Sequence, residues 1–453
     1  MNLNWWQVKC LYLCVFFGCT LSAYALEDFG ISYTSEGGNP LLKIHIYTYI
    51  LIILFTSIVL KYGVKNLLKP LGRISYAWLF MIFSVLWLIV YGLYRNGMSG
   101  MAYTLDTLLA PLLCMPLAAR LSLKQCIGLL KLLSILLLAN SCIALIEFFL
   151  KQRIWNVEFS SFGIFFRSSA LMGHPLNNAL ILCSLALMLS RYSRLGMAFY
   201  LTISGLALFA FGARAATAIF FFTAFITSLW IAKNTKLKNS QGNKIKIALI
   251  PLLAIAVFGI SSALFINTSI FDRIASNLFV DASAMTRVDV WSIIDVMSQD
   301  EILLGASSDL TMNFSDVIGV GVIENYLIGW VFSFGIVGCG LLIISFLTLL
   351  FRMFTLSDLY GKVSIASFFV ASLGNNSLSS KTPALFLVLI AATLLIRIKN
   401  LSNQSAKKTV SNTRNYSVQK TGAYVKHSVK GIPASKGTPK LNPPSSQDGI
   451  PTS

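Results

Sequence analysis

The stretch VIENYLIGWVFSFGIVGCGLL, residues 322–342, decides the fold class of this 453-residue chain. After Glu324 it carries no charge, and as a helix it is long enough to cross about 30 Å of hydrocarbon. Similar apolar runs recur along most of the sequence, which is 56% hydrophobic and 12% charged. This pattern predicts an all-α protein whose architecture is a polytopic transmembrane helical bundle.

The apolar runs predict about twelve spans, with one larger loop between the ninth and the tenth. The predicted spans are 7–26, 43–61, 74–94, 101–118, 126–150, 170–189, 195–211, 215–232, 246–266, 323–350, 362–378 and 382–398. The domain organisation follows as spans 1–9 in 1–266, a large non-cytoplasmic loop with short helices in 267–322, spans 10–12 in 323–398, and a disordered basic cytoplasmic tail in 399–453.

Lysine and arginine are concentrated on one side of the predicted bundle. The loops KYGVKNLLKPLGR, ARLSLKQ, SRYSRLG and KNTKLKNSQGNKIK fall on that side together with the tail. The positive-inside rule makes this side the cytoplasm, so both termini are predicted to be cytoplasmic. The same placement accounts for the net charge of +19 and argues against a nucleic-acid partner. Retention of the first apolar segment and its cleavage after Ala23-Tyr24-Ala25 both stay open.

Cysteine and histidine usage gives no sign of a metal centre. All eight cysteines lie within apolar runs, where cysteine is typically a packing residue, and the chain has only three histidines. A structural zinc site and a disulfide framework are therefore not predicted, and we expect neither a metal nor a cofactor.

The large loop is acidic overall, and its basic residues are Arg273 and Arg287. A helix that begins near Ser283 would carry an apolar stripe on one face. The members of that stripe would be Val290, Trp291, Ile293, Ile294 and Met297. Arg287 falls inside the stripe, which would aim it at the bilayer or the bundle. It would act either as an interfacial anchor or as a guanidinium that binds a lipid-linked phosphate.

Three further groups of polar residues lie on the same predicted side. Arg214, in the turn GARAA, occupies a non-cytoplasmic position where arginine is unusual, so we expect an anionic partner, either a ligand or an acidic residue of the large loop. The segment FGIFFRSSALMGHPLNNALIL contains Arg167, His174 and Asn177. Polar side chains are costly in apolar surroundings, so this group predicts a polar cavity lined by the bundle, although His174 could instead be a satisfied interhelical histidine.

Glu324 and Asn325 stand at the mouth of the tenth span. A carboxylate at this position is either a favourable charge at a helix N-terminus or a partly buried group that accepts a proton. Its apolar neighbours Val322, Ile323 and Tyr326 favour the second interpretation.

Four of these segments resemble the superfamily of O-antigen ligases and Wzy-type polysaccharide polymerases. The ligase signature is His, then Asn, Ser or Gln, nine residues and Gly-x-x-Gly, and here Glu324 and Asn325 are followed after nine residues by Gly335-Ile336-Val337-Gly338. FFRSSALMGHPLNNA, GARAA and TRVDVW resemble the family's Arg…Gly-His-Pro-x-Asn, Ser-Arg-Gly-like and Arg-x-x-x-Trp segments. Glu324 replaces the ligase histidine, which favours a polymerase.

The resemblance implies a bacterial inner-membrane glycosyltransferase of exopolysaccharide, capsule or O-antigen biosynthesis, which polymerises oligosaccharide repeat units on the periplasmic face. Its partners would be undecaprenyl-diphosphate-linked oligosaccharides, membrane lipid, and other polysaccharide export and chain-length proteins. Glu324 would be the catalytic base of an inverting, metal-independent transfer. The substrate-binding residues would be Arg167, His174, Asn177, Arg214, Arg287 and Asn325.

Two other functions stay open. An O-antigen-type ligase would move finished glycan onto a lipid or protein acceptor, and only the missing histidine argues against it. A polysaccharide-lipid flippase or transporter would place its polar residues along a pathway near the middle of the membrane. The candidate residues gather at one face instead, which favours an enzyme.

Overall fold

The computed structural model describes residues 3–34, 39–97, 101–155, 166–234, 290–313 and 323–405. Within these ranges every regular element is a helix. The chain divides after Asn400 into two units, and 401–405 are the described residues of the second.

The helices follow one another with short connections. They are α1 (Trp5–Thr20), α2 (Ala23–Asp28), α3 (Ile46–Tyr62), α4 (Val64–Leu68), α5 (Ser75–Asn96), α6 (Ala110–Ala118), α7 (Leu123–Leu150), α8 (Pro175–Leu189), α9 (Met197–Phe211), α10 (Arg214–Asn234), α11 (Ile293–Val296), α12 (Gln299–Leu304), α13 (Ser308–Met312), α14 (Tyr326–Leu356), α15 (Leu359–Ser372) and α16 (Ala384–Ser405). A π-helical turn, Thr104–Leu109, leads into α6.

Four helical stretches are long and apolar enough to cross a membrane: Val64–Arg95, Leu123–Leu150, Tyr326–Leu356 and Ala384–Ser405. Shorter apolar helices, among them α3, α9 and α15, accompany them. The prediction of an all-α membrane protein is confirmed in this form for the part of the chain that the structure describes. The count of twelve spans and the large periplasmic loop stay predictions.

The centre of the bundle is formed by α8 and α16. In α8 every residue from Asn177 to Leu189 is buried, and in α16 every residue from Ala384 to Ile396 is at most 5% exposed. By contrast α5 exposes Tyr76, Phe83 and Val90 on one face. Helices that are apolar all round belong in the interior, and an exposed apolar face suits contact with lipid.

Two helices begin or end inside their predicted spans. The first span, 7–26, is interrupted because α1 ends at Thr20 and Ser22 caps a new helix by accepting the N–H of Ala25. The sixth span, 170–189, becomes helical only at Pro175, a residue well suited to the first helical position. The predicted span 246–266 and the tail from 406 lie outside the described residues.

A break at Gly335 divides α14. Its backbone angles, φ 67° and ψ 177°, belong to a region that is essentially restricted to glycine. A Cβ there would collide with the backbone carbonyl of Leu303. The N–H of Ala306 donates to the carbonyl oxygen of Phe332 at 2.7 Å. The break therefore lets residues 303–306 lie directly on the backbone of α14.

Candidate functional site

Four helix ends meet around a cavity of about 350 Å³. The C-terminal end of α1 lies there, and α3, α8 and α16 begin there. The lining residues are Gly18, Leu21, Ser22, Ala23, Tyr24, Tyr33, Thr34, His45, Tyr47, Met172, Gly173, His174, Asn177, Asn376, Ser380, Lys381, Thr382 and Pro383. These ends belong to the side of the bundle that the charge pattern predicts to be non-cytoplasmic.

One wall of the cavity is fixed by Asp106, which lies behind it in the π-helical turn and is fully buried. Its carboxylate accepts hydrogen bonds from the hydroxyls of Tyr33 and Thr48, both at 2.6 Å, and from the backbone N–H of His45 at 3.0 and 3.1 Å. A buried carboxylate requires such donors. Because Tyr33 and His45 line the cavity, Asp106 sets the shape of this wall.

The imidazole of His45 is held by two hydrogen bonds. Its Nε2 lies 2.6 Å from the carbonyl oxygen of Leu21, and its Nδ1 accepts the N–H of Tyr47 at 3.3 Å. Burial lowers the pKa of His45 to about 4, although the contact with Leu21 acts in the opposite direction. The ring is therefore neutral near pH 7, with its proton on Nε2.

Lys381 is the one cationic side chain among the lining residues, which include no carboxylate. Its Nζ donates to the carbonyl oxygen of Tyr33 at 2.6 Å and lies 4.3 Å from the centre of that ring. Burial lowers the pKa of Lys381 to about 8, and the charge of Asp106 opposes this shift. The cavity consequently offers a single positive charge to an occupant near neutral pH.

The opposite wall is carried by the non-helical segment 166–174, which packs inside the bundle. Glu147 of α7, only 2% exposed, accepts the N–H groups of Ser169 at 2.7 Å and Ala170 at 2.9 Å. Ala170 has a left-handed φ of 47°. The amide of Asn178 donates to the carbonyl oxygen of Ser169 at 2.7 Å. These bonds satisfy a buried stretch that lacks helical hydrogen bonds.

The segment and α8 bring three predicted site residues together. His174 caps α8, and its Nδ1 accepts the N–H of Leu176 at 3.3 Å. Burial lowers the pKa of His174 to about 4, and the positive charge of Arg167 lowers it further. Asn177 follows on α8, is 7% exposed and lines the same cavity. His174 and Asn177 thus face one space, with Arg167 close enough to act on the imidazole.

Glu324 and Asn325 lie at the start of α14. The side chain of Asn325 caps the helix at 2.9 Å, and Glu324 is half-buried directly before it. The N–H of Tyr326 donates to the carbonyl oxygen of Asn375 at 3.1 Å, and the next residue, Asn376, lines the cavity. The helix end that follows Glu324 therefore adjoins the loop that forms part of the cavity wall.

Arg214 is the first residue of α10, and its side chain is exposed. The end of α9, just before it, is tied to the segment 166–174, because the N–H of Ser168 donates to the carbonyl oxygen of Ala210 at 3.1 Å. Arg214 therefore lies at the same end of the bundle as the cavity. It is not among the lining residues.

The predictions for the large loop fare unevenly. Arg273, Arg287 and the start of the predicted helix at Ser283 lie outside the described residues. In the described part, Ile293 and Met297 are buried against the start of α14, as the apolar stripe predicts. Trp291 is 58% exposed, so its place in the stripe is wrong. The reason is that the α-helical turn covers only Ile293–Val296, too few residues to present one continuous face.

Sequence reasoning missed Tyr33, His45, Asp106 and Lys381 as parts of the cavity wall, and Glu147 as the anchor of the opposite wall. Two signals were available. Asp106 lies in TLDTLLAP and Glu147 in CIALIEFFL, and a carboxylate inside an apolar run is by default a candidate functional or structural centre.

Among the described residues, no group of three or more His, Cys, Asp or Glu side chains could hold a metal ion. Comparison with known proteins identifies no relative, because no family model, curated protein or solved structure matches the chain. The functional argument therefore starts from the cavity, its neighbouring helix ends and the motif residues.

Proposed function

We propose that the protein is a membrane-bound glycosyltransferase that polymerises lipid-linked oligosaccharide repeat units. One observation carries this proposal: His174, Asn177 and Lys381 line a single cavity, and the loop of that cavity contacts the helix end that follows Glu324. Polar groups gathered at helix ends suit a substrate whose lipid carrier stays in the bilayer while its sugars lie outside the hydrocarbon.

The proposed reaction transfers a growing glycan from one lipid diphosphate to a sugar hydroxyl on another. The hydroxyl oxygen attacks the anomeric carbon and forms the new glycosidic bond. The bond from that carbon to the diphosphate oxygen breaks, and the diphosphate leaves with its electron pair. Glu324 accepts the hydroxyl proton, and direct displacement inverts the anomeric centre.

Cationic and dipolar groups would stabilise the departing diphosphate. Arg214 and Arg287, with Arg167, are the proposed cations, because a guanidinium forms paired hydrogen bonds with phosphate oxygens. Asn325 and the first turn of α14 add the positive end of a 31-residue helix beside Glu324. Such preorganised charge lowers the barrier most when it faces the position where negative charge develops.

The proposal places the protein in a bacterial inner membrane with both termini in the cytoplasm and the large loop in the periplasm. The distribution of basic loops supports this orientation. A cysteine introduced at Ser307 should react with a membrane-impermeant maleimide in intact spheroplasts. Labelling of that cysteine only after the inner membrane is opened would reverse the orientation.

Glu324→Gln tests the catalytic role, because it keeps the shape of the side chain and removes the proton acceptor. A positioned base contributes about 10²–10⁴-fold in rate. Purified variant protein should therefore make almost no polymer from lipid-linked repeats, and single repeats should accumulate in cells. Asp300→Asn, an exposed acid of the loop region, is the matched control and should leave polymer unchanged.

The products separate the alternatives. Wild-type amounts of polymer from Glu324→Gln would refute the base assignment and leave a helix-end charge. Lipid-linked polymer that accumulates in cells without the protein would identify a ligase. Repeats that stay on the cytoplasmic leaflet in those cells would identify a transporter. Glu324→His restores the ligase residue and should retain part of the activity.

A further inference from the structure

Most polar groups that line the cavity are already hydrogen-bonded within the protein. The hydroxyl of Tyr33 is bound to Asp106, both nitrogens of His45 have partners, and the hydroxyl of Thr382 donates to the carbonyl oxygen of Ser377 at 2.8 Å. These groups form the wall. Recognition of an occupant must come from groups with capacity to spare.

Asn177 is one such group. It is 7% exposed, and its Oδ1 is buried and accepts no hydrogen bond from any described residue. The adjacent Asn178 shows the contrast, because its Oδ1 accepts from Asn140 at 2.9 Å and its Nδ2 donates to three carbonyl oxygens. A buried amide with an unused acceptor, lining a cavity, calls for a donor from an occupant.

Lys381 is the other. An ammonium group has three N–H donors, and the hydrogen bond to Tyr33 uses one of them. Asp106 contributes little to neutralising it directly, because the lysine makes no hydrogen bond to that carboxylate, which is occupied by hydroxyl and backbone donors. With no acidic residue among the lining side chains, the cavity favours an occupant that carries one negative charge.

The remaining walls are aromatic. The ring of His45 lies 4.4 Å from that of Tyr47 and 5.9 Å, edge to face, from that of Tyr33, measured between centroids. Tyr24 adds a fourth ring. Flat apolar surfaces with a few fixed polar groups match the faces of a pyranose ring, whose C–H groups pack on aromatic rings while its hydroxyls bind polar atoms.

We propose that the cavity binds an acidic sugar of the repeat unit, a pyranose with one carboxylate. The carboxylate lies on Lys381, and a ring hydroxyl donates to Asn177. The assignment of this sugar to a repeat unit rests on the proposed function. A phosphate group is the other source of negative charge, but a diphosphate carries more than one charge and suits the arginines better than a single lysine.

Sugar binding can be measured without turnover. The full-length protein, purified in nanodiscs, is examined by saturation-transfer NMR with methyl glucuronide and methyl glucoside. We expect transfer to the glucuronide and at least about tenfold weaker binding of the glucoside, since a charge-assisted hydrogen bond is worth about 1.5 kcal/mol or more. Lys381→Met should remove that preference, Lys381→Arg should keep it, and Asn177→Leu should weaken both sugars.

Lys362→Met is the matched control, because Lys362 lies at the start of α15, away from the cavity, with its Nζ over the ring of Phe354. It should bind like the wild type. Equal binding of the two sugars by wild-type protein, or no binding of either, would overturn the inference. Displacement by inorganic pyrophosphate without glucuronide binding would overturn it in favour of a phosphate site. The wild-type comparison decides the matter even where Lys381→Met does not fold.

The inference and the proposed function can fail separately. Glucuronide binding together with normal polymer from Glu324→Gln would leave an acidic-sugar site in a protein with another activity. Loss of polymer in Glu324→Gln together with no glucuronide preference would leave the polymerase and remove the acidic sugar.

Discussion

Replacement of Gly335 by alanine tests the contact between the loop region and α14. Alanine cannot easily keep φ 67° and ψ 177°, and its Cβ would collide with the carbonyl of Leu303. Holding a non-glycine residue in such a region costs on the order of 1–3 kcal/mol. If residues 303–306 instead move away, the hydrogen bond from Ala306 to Phe332 is lost, at about 0.5–1.5 kcal/mol. We expect a total loss of about 2–4 kcal/mol, since both effects contribute.

That loss is a sizeable part of the about 5–15 kcal/mol that typically stabilises a folded domain. Thermal unfolding of the detergent-solubilised protein, followed by tryptophan fluorescence, should show a lower midpoint for Gly335→Ala. Limited proteolysis should show faster cleavage within α12, whose last residues lie on the break. The second measurement separates displacement of this segment from general destabilisation.

Gly340→Ala is the control within the same helix. Gly340 is helical, and a Cβ there would meet no atom within 4 Å. Alanine should therefore raise stability by about 0.5–1 kcal/mol, because it favours the helix. Equal unfolding midpoints and equal cleavage for the two variants would show that α14 does not break at Gly335 as described, and the reasoning would be refuted.

Three further outcomes are expected. Glu147→Gln should destabilise the protein by about 2–4 kcal/mol in denaturant unfolding, because it weakens charged hydrogen bonds to buried backbone N–H groups, whereas exposed Asp300→Asn should change stability by less than about 0.5 kcal/mol. His45 has a folded pKa of about 4, below the usual 6.5, so its neutral form favours folding above pH 6.5 and this contribution, about 3 kcal/mol, is lost as pH falls from 6.5 towards 4; unfolding midpoints should drop less steeply over that range for His45→Asn. Arg214→Ala and Arg287→Ala should each abolish polymer at normal protein levels while Lys restores only part of it, and full polymer from both alanine variants would reduce these residues to interfacial anchors.

The helical, membrane-spanning character of the chain could be predicted from the sequence because hydrophobic length is a local property. A run such as 322–342 cannot be buried in water or paired as an isolated strand in lipid, so the helix follows. Local chemistry also places helix ends, as at Pro175 and Asn325. The motif predicted that Gly335 matters, but its role as a break that admits residues 303–306 depends on a segment about thirty residues away in the chain.

The cavity was decided by tertiary structure. Its wall joins Tyr33, His45, Asp106 and Lys381, and the hydrogen bonds among them connect residues separated by 61, 73 and 348 positions. The apolar pattern does not specify which helices become neighbours, because helices such as α8 and α16 are apolar on every side and carry no preferred face. Only their packing determines which isolated polar residues meet, and there the low polarity of the surroundings forces those residues to satisfy one another.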